Sequence, residues 1–334
     1  MNQKKSIEYN TLTDQPLVWT ALITPLFDSG EIDFVSLRNL VLKQNSADNG
    51  ILLLGSTGEG LALTAQEHLA IVEYVSAMPL QVPLMVAVGG YNINQQRAWI
   101  EKCNQLAINA YLLTSPIYAK PGPKGQTAWF SALLDAAKFP CMLYNVPSRT
   151  GGEIAISTLQ AVQSHKNCWA LKEASGDLNK LLAYRQNCPN VEIYSGEDAM
   201  MPYLAAADVK GLVSVCANVW PEATNRYVAL ALAKKTAGLF PLWHQAISAL
   251  FQVTSPIAVK VLLAELKMIS SANLRLPLCQ DEISALHGLQ AINQQIQHWL
   301  LSQAAKTSAQ DHALDCGTES SHLLAKTNLR DLTS

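Results

Sequence analysis

Eight short apolar runs at regular spacing, then a change to helical periodicity near residue 233, predict an α/β chain. Its architecture is a (β/α)8 TIM barrel with a C-terminal helical appendage. The runs are Val18–Pro25, Ile51–Gly55, Leu84–Gly89, Ala110–Pro116, Cys141–Pro147, Cys168–Ala174, Val191–Gly196 and Gly211–Ala217. Each is nearly continuous in apolar character, as strands covered on both faces are, and each ends in a polar turn before a helix-like segment. From the second onward they begin 20 to 33 residues apart, enough for crossover helices between parallel strands. A doubly wound open sheet shares this pattern, but eight regular units favour closure, which puts the active site at the C-terminal strand ends.

The barrel is assigned to residues 16–232 and a helical domain to 233–302. In the latter, Leu239–Val253 is amphipathic, and Ser255-Pro256 reads as an N-cap and first-turn proline for a helix through Lys267. Ile283, Leu286, Leu289, Ile292, Ile296 and Leu300 form one stripe on a third helix. Residues 1–15 read as a polar leader. Residues 303–334, rich in Ser, Ala, Thr, Gln and Asp, read as a disordered tail, with a short docking helix at Ser321–Leu329 as the alternative.

Composition excludes several classes. Twenty-four Lys and Arg against 26 Asp and Glu give a net charge of −2, without the basic excess of a nucleic-acid binder. No apolar run approaches membrane-spanning length, and Met1 to Gln15 contains no apolar signal core. Seven cysteines with no CxxC spacing fit reduced thiols in the cytoplasm, and the histidines show no paired metal spacing. Only 15% of residues are charged, below the ordinary quarter or so. The 21 Gln and 19 Asn account for part of that deficit, and surface buried between subunits is the other candidate.

Four strand ends carry unusual chemistry. Lys172 directly follows Cys168-Trp169-Ala170-Leu171, which would leave its amine at or inside the barrel mouth. There burial is expected to lower its pKa and make it a neutral nucleophile able to form a Schiff base with a ketone. A lysine that snorkels to solvent or pairs with Glu173 fits the spacing equally well. Lys260 is a rival buried lysine, but on an appendage helix a structural ion pair suits it better. The loop Gly55-Ser56-Thr57-Gly58-Glu59-Gly60 fails the dinucleotide pattern at Thr57 and the phosphate-loop pattern at Leu61. Its backbone amides and two hydroxyls suit a small carboxylate, unless it is an ordinary tight turn. Tyr144 and Tyr118 can relay protons if a hydroxyl such as Thr57 links them; an isolated tyrosine would simply pack. Arg149 is either a bidentate clamp for a carboxylate or a solvated charge.

Three of these segments, Gly55-Ser56-Thr57-Gly58-Glu59, Tyr144-Asn145-Val146-Pro147-Ser148-Arg149-Thr150-Gly151 and Leu171-Lys172-Glu173-Ala174-Ser175-Gly176, resemble in order and spacing the signatures of the dihydrodipicolinate synthase family. That family belongs to the pyruvate-dependent class I aldolases, with N-acetylneuraminate lyase. Ser195-Gly196-Glu197-Asp198, Gly211-Leu212-Val213-Ser214-Val215, Ser255-Pro256-Ile257 and Leu274-Arg275-Leu276-Pro277 agree with it, so the resemblance runs from about Val18 to Leu300. It implies that Lys172 forms an imine with pyruvate, that Ser56 and Thr57 hold its carboxylate, and that Tyr144, Thr57 and Tyr118 relay protons. Tyr118 would reach into a neighbouring subunit's site. Arg149 would bind the carboxylate of aspartate semialdehyde, and the backbone at Gly196 and Val213 would line the pocket. The resemblance further implies no metal or organic cofactor, and a homo-oligomer of at least two chains, usually four. The sequence leaves two other readings, a sugar-acid aldolase or lyase sharing the imine chemistry and an inactive barrel that binds a metabolite. Arg149 within Pro-Ser-Arg-Thr-Gly favours the synthase over the first, and the intact nucleophile argues against the second.

Departures from the family pattern concern regulation. Ile117 stands where many members carry a second tyrosine, and the effector-site positions appear as Gly60, Ala65, Tyr91 and Gln95, with His68 kept. A glutamine where a carboxylate would meet the effector's amino group weakens that site. Millimolar lysine is therefore expected to inhibit poorly, and an inhibition curve with a submillimolar midpoint would contradict this.

Overall fold

The computed structural model describes residues 15–283 and 288–305. Each predicted run coincides with one strand, β2 starting one residue before its run: β1 Val18–Ala21, β2 Gly50–Leu53, β3 Leu84–Val88, β4 Ala110–Thr114, β5 Cys141–Asn145, β6 Cys168–Glu173, β7 Glu192–Ser195 and β8 Gly211–Ser214. All pairings are parallel, and β1 pairs with both β2 and β8, so the sheet closes. Between strands run α1 Phe34–Ser46, α2 Ala65–Ser76, α3 Ile93–Cys103, α4 Pro123–Ala136, α5 Pro147–Thr150, α6 Ile156–Val162, α7 Leu178–Asn187 and α8 Met201–Leu204, with α9 Pro221–Leu232 after β8. Polar caps begin several of them. Asp33 accepts from the Ser36 amide at α1, Thr64 and Glu67 form a reciprocal capping box at α2, and Asn92 and Asp177 cap α3 and α7.

Two separate apolar clusters explain why the runs lack alternation. Outward strand side chains such as Leu113, Leu143 and Leu171 join the helices in one cluster, while Trp19, Met85, Leu112, Met142, Ala170 and Tyr194 fill the barrel. The strand β6 breaks strict alternation. Cys141 pairs with Cys168 but Met142 pairs with Ala170, so Trp169 is an extra residue. Trp169 turns into the interior against Tyr194, ring centroids 5.6 Å apart, and its Nε1 donates to Glu192 Oε2 at 2.8 Å. With that bulge, Ala170, Lys172 and Ala174 share the inner face.

The appendage consists of α10 Leu242–Leu250, α11 Ile257–Glu265 and α12, residues 288–305. Three expectations are corrected here. Ser255 does not cap α11: Pro256 occupies that position, and the buried Ser255 hydroxyl has no hydrogen-bond partner among the described residues. The helix ends at Glu265 rather than Lys267, because Lys267 turns into the left-handed region, φ +56°. Ile283 precedes α12 instead of lying on its stripe, and α12 continues to residue 305, into the segment expected to be tail. Leu289 and Ile296 are buried as expected, Ile292 and Leu300 partly so. Trp299 meets Trp243 edge-on at 5.2 Å, and Trp243 stacks on Tyr227 of α9 at 4.2 Å, which docks the appendage on the barrel. Leu286, the leader through residue 14, and 306–334 with the alternative helix at Ser321–Leu329 lie outside the described residues.

A second tie reaches the barrel mouth. Lys260 of α11, wholly buried, donates from Nζ to Glu59 Oε1 at 2.5 Å and to the Asn273 carbonyl at 2.7 Å. Glu59 Oε2 accepts the Arg275 amide at 2.7 Å. Burial pushes the Lys260 ammonium down from its ordinary pKa although Glu59 pulls it up. Lys260 is thus the structural ion pair expected of it. Breaking one half of such a pair strands a buried charge, whereas replacing both halves with apolar or neutral groups does not. Lys260→Met is expected to lower stability by about 3–5 kcal/mol, and Glu59→Gln with Lys260→Met to recover much of it. Denaturant unfolding of both variants checks this; a double variant as unstable as the single one would contradict it.

Candidate active site

Lys172 projects into the barrel mouth. It is 6% exposed, pairs in register with Tyr144 on β5, and holds Nζ 4.2 Å from the centre of the Tyr144 ring. It neither snorkels to solvent nor pairs with Glu173. The Glu173 carboxylate points away, accepting Asn145 Nδ2 and the Ser175 amide, each at 2.7 Å, and burial pushes its pKa up. Asn145 also accepts the Ile154 amide at 2.8 Å, so one buried amide locks β5, β6 and the following loop together beside Tyr144 and Lys172. Gly196 leaves room for the lysine: a Cβ there would lie 2.9 Å from Lys172 Cε and 2.6 Å from Ala174 Cβ.

The loop after β2 forms the next wall. Leu54 and Glu59 take left-handed backbone, φ +62° and +55°, and a Cβ on Gly60 would sit 2.0 Å from the Leu54 carbonyl oxygen. The Glu59 and Gly60 amides bond inside the turn, to Ser56 and Gly55 carbonyls at 3.1 Å. Among the described residues the amides of Ser56 and Thr57 have no protein partner. Ser56 is half-buried and Thr57 is 4% exposed, a setting suited to a small carboxylate held by hydroxyls and amides.

One cavity of about 650 Å³ unites Ser56, Thr57, Tyr144, Arg149, Lys172 and Gly196. The appendage loop from Phe251 to Ser255 roofs it, and Glu197, Val215 and Glu282 complete the wall. Arg149 is exposed on the single turn α5, which Thr150 braces by donating to the Val146 and Gly152 carbonyls. Among the described residues its guanidinium has no hydrogen bond or ion pair.

Two anticipated residues have side chains that do not line this cavity. The Val213 side chain is wholly buried in the barrel interior, and Val215, two positions on, supplies the cavity wall at the end of β8. Tyr118, on the loop after β4, is 91% exposed with φ +65° and lies outside the cavity of its own chain. Sequence reasoning missed the parts of Ser255 and Glu282 in the wall, since nothing in their spacing tells that the appendage folds over the mouth.

A second cavity of about 490 Å³ adjoins the first through Ser56, Tyr144 and Arg149. Its outer wall is Leu61, Ala65, His68, Gln95, Trp99 and Ile117. His68 is already engaged: its Nε2 donates to the Gly60 carbonyl at 2.5 Å and its ring packs on Trp99 at 5.5 Å. Among the described residues no three His, Cys, Asp or Glu side chains gather closely enough to hold a metal ion.

Residues 16–296 match the Dihydrodipicolinate synthetase family. A 4-hydroxy-tetrahydrodipicolinate synthase from Francisella tularensis subsp. novicida is 44% identical over 283 residues, covering 84% of this chain and 96% of the relative. One from Wolbachia pipientis of Culex pipiens is 40% identical over the same shares. Among solved structures, a Bacillus anthracis dihydrodipicolinate synthase superposes with a TM-score of 0.78 at 29% identity, over 84% of this chain and 98% of that one. An Acinetobacter baumannii enzyme solved with pyruvate gives 0.77 at 26%, over 85% and 98%. With matches covering the barrel, the mouth and most of the appendage, the chain belongs to the dihydrodipicolinate synthetase family.

Proposed function

We propose that Lys172 is the Schiff-base nucleophile of a class I aldolase-type lyase, the 4-hydroxy-tetrahydrodipicolinate synthase that condenses pyruvate with L-aspartate 4-semialdehyde. This is the activity its Francisella and Wolbachia relatives are named for, and it opens the diaminopimelate and lysine branch of biosynthesis. One observation carries the reading: a buried lysine amine stands over the Tyr144 ring in a cavity it shares with two hydroxyls and an arginine.

The chemistry follows from these groups. The Lys172 amine adds to the ketone of pyruvate and water leaves, giving an imine; loss of a methyl proton makes an enamine. Ser56 and Thr57 hold the pyruvate carboxylate, and Arg149 takes the carboxylate of the semialdehyde in bidentate fashion. The enamine carbon attacks the aldehyde, and the new alkoxide takes a proton from the relay of Tyr144, Thr57 and Tyr118. The substrate nitrogen then attacks the imine carbon, closes the ring and releases Lys172. The protonated imine is itself the electron sink, so the reaction calls for no metal or organic cofactor. The backbone at Gly196 and Val213 is proposed to shape the pyruvate end.

Tyr118 stands outside its own cavity, which supports a relay completed by a second chain and hence a homo-oligomer of at least two, with four as the full assembly. No described helix is long and apolar enough to cross a membrane, and the biosynthetic role suits the cytoplasm. Neither nucleic acid nor membrane is proposed as a partner. Borohydride reduction with pyruvate is expected to add the pyruvate-derived mass to the peptide containing Lys172. No adduct, or one on Lys260 alone, would overturn the reading, and full activity in a monomer shown by ultracentrifugation would overturn the shared relay.

A further inference from the structure

Three carboxylates stand at the ends of β6 and β7, and two are fully used. Glu173 serves Asn145 and Ser175. Asp198, 2% exposed, accepts from Ser214 Oγ at 2.5 Å and from the Val215 and Cys216 amides at 3.1 and 3.3 Å, tying β7 to β8. Glu197 differs. Its backbone is held, since its amide donates to Ser195 Oγ at 3.0 Å and its carbonyl accepts from the same hydroxyl at 3.1 Å. Its half-buried carboxylate has no hydrogen bond or ion pair among the described residues, and it lines the cavity that holds Lys172 and Arg149. Burial, with the neighbouring Asp198, pushes its pKa up, and Lys172 pulls it back. A carboxylate desolvated without a partner costs stability unless a ligand supplies the missing donor.

The second substrate brings such a donor. Aspartate semialdehyde carries an aldehyde, a carboxylate and an ammonium; Arg149 answers the carboxylate, and no group described so far answers the ammonium. We propose that Glu197 binds this ammonium and later takes a proton from it, making the neutral amine that closes the ring. The proposal rests on the synthase reading above. With the carbon–carbon bond formed, the ammonium gives one proton to Glu197, and its nitrogen lone pair forms a bond to the protonated imine carbon. That nitrogen passes a second proton to Nζ as the bond between the carbon and Nζ breaks, which frees the Lys172 amine. The cyclic imine loses its remaining N–H proton to solvent, and nothing is oxidised or reduced. Glu282, the other unassigned carboxylate on the wall, is exposed and is the weaker partner.

The test compares Glu197→Gln with Glu282→Gln, and adds Glu197→Asp in case the amide variant folds poorly. Glu197→Gln is expected to raise the KM for aspartate semialdehyde roughly ten- to a hundredfold and leave the KM for pyruvate where it was. Succinate semialdehyde, which keeps the aldehyde and carboxylate but lacks the amine, should bind the variant as well as it binds the unaltered enzyme. In the unaltered enzyme the KM for aspartate semialdehyde should climb as pH falls through the raised Glu197 pKa, and in Glu197→Gln that climb should vanish. Equal weakening of succinate semialdehyde or pyruvate, an unchanged KM, or an effect that follows Glu282 would overturn the proposal. Borohydride trapping of pyruvate separates the two levels. Loss of the Lys172 adduct in the unaltered enzyme defeats the synthase reading itself. Loss only in Glu197→Gln makes Glu197 a partner of Lys172 and defeats this proposal alone.

Discussion

Closure of a parallel sheet gives every strand two dry faces, and the rest of the molecule follows from that constraint. Helices cover the outside and large side chains fill the inside, so buried polar groups concentrate at the strand ends, where turns and water meet. The chemistry of the mouth then depends on rigid strand ends. Buried polar ties provide this: Asn145 to Glu173 between β5 and β6, Asp198 to Ser214 between β7 and β8, and Asn218 across the seam between β1 and β8. Asn218 accepts the Ile23 amide and donates to the Ala21 and Val215 carbonyls. Satisfied networks of this kind fix geometry because any partial break leaves a desolvated group unpaired.

The Glu59–Lys260 pair extends the same logic beyond the barrel. The loop that presents Ser56 and Thr57 contains two residues in left-handed backbone, a conformation that persists only where the surroundings over-determine it. A lysine from α11 and a backbone amide from Arg275 take both carboxylate oxygens of Glu59 and hold the turn from below. The appendage therefore does two jobs at the mouth: it fixes the loop after β2 and roofs the cavity with residues 251–255.

All eight strands were legible because continuous apolar runs are what two-sided burial writes into a sequence. Lys172 was legible for the same reason, as a charge at the end of such a run. Whether it faced in or out was not, since the answer turns on one extra residue, Trp169, and a bulge has no signature in periodicity. Single-residue register decides β8 as well, where the Val213 side chain falls inside the barrel and Val215 reaches the cavity. Ser255 reads as a cap because Ser-Pro usually is one; its hydroxyl is instead buried without a hydrogen-bond partner among the described residues. The different fates of Glu197 and Asp198 rest on contacts from β8, beyond the reach of any local pattern.

Tyr118 presses the assembly argument furthest. A bulky residue with φ +65° carries about 1–3 kcal/mol of backbone strain, and here it also leaves an aromatic ring 91% exposed. Leu61 and Tyr91, from the loops after β2 and β3, are exposed on 63% and 70% of their surfaces. Strain spent to hold a ring in water stabilises nothing in one chain. It is offset only if the ring is buried against something else, and the proposed relay, one hydroxyl short within the chain, names what that is: the mouth of a second copy. Under the proposed assembly the low charge of the chain and the outward tyrosine have a common origin, since a surface that meets its own duplicate carries few charges to desolvate.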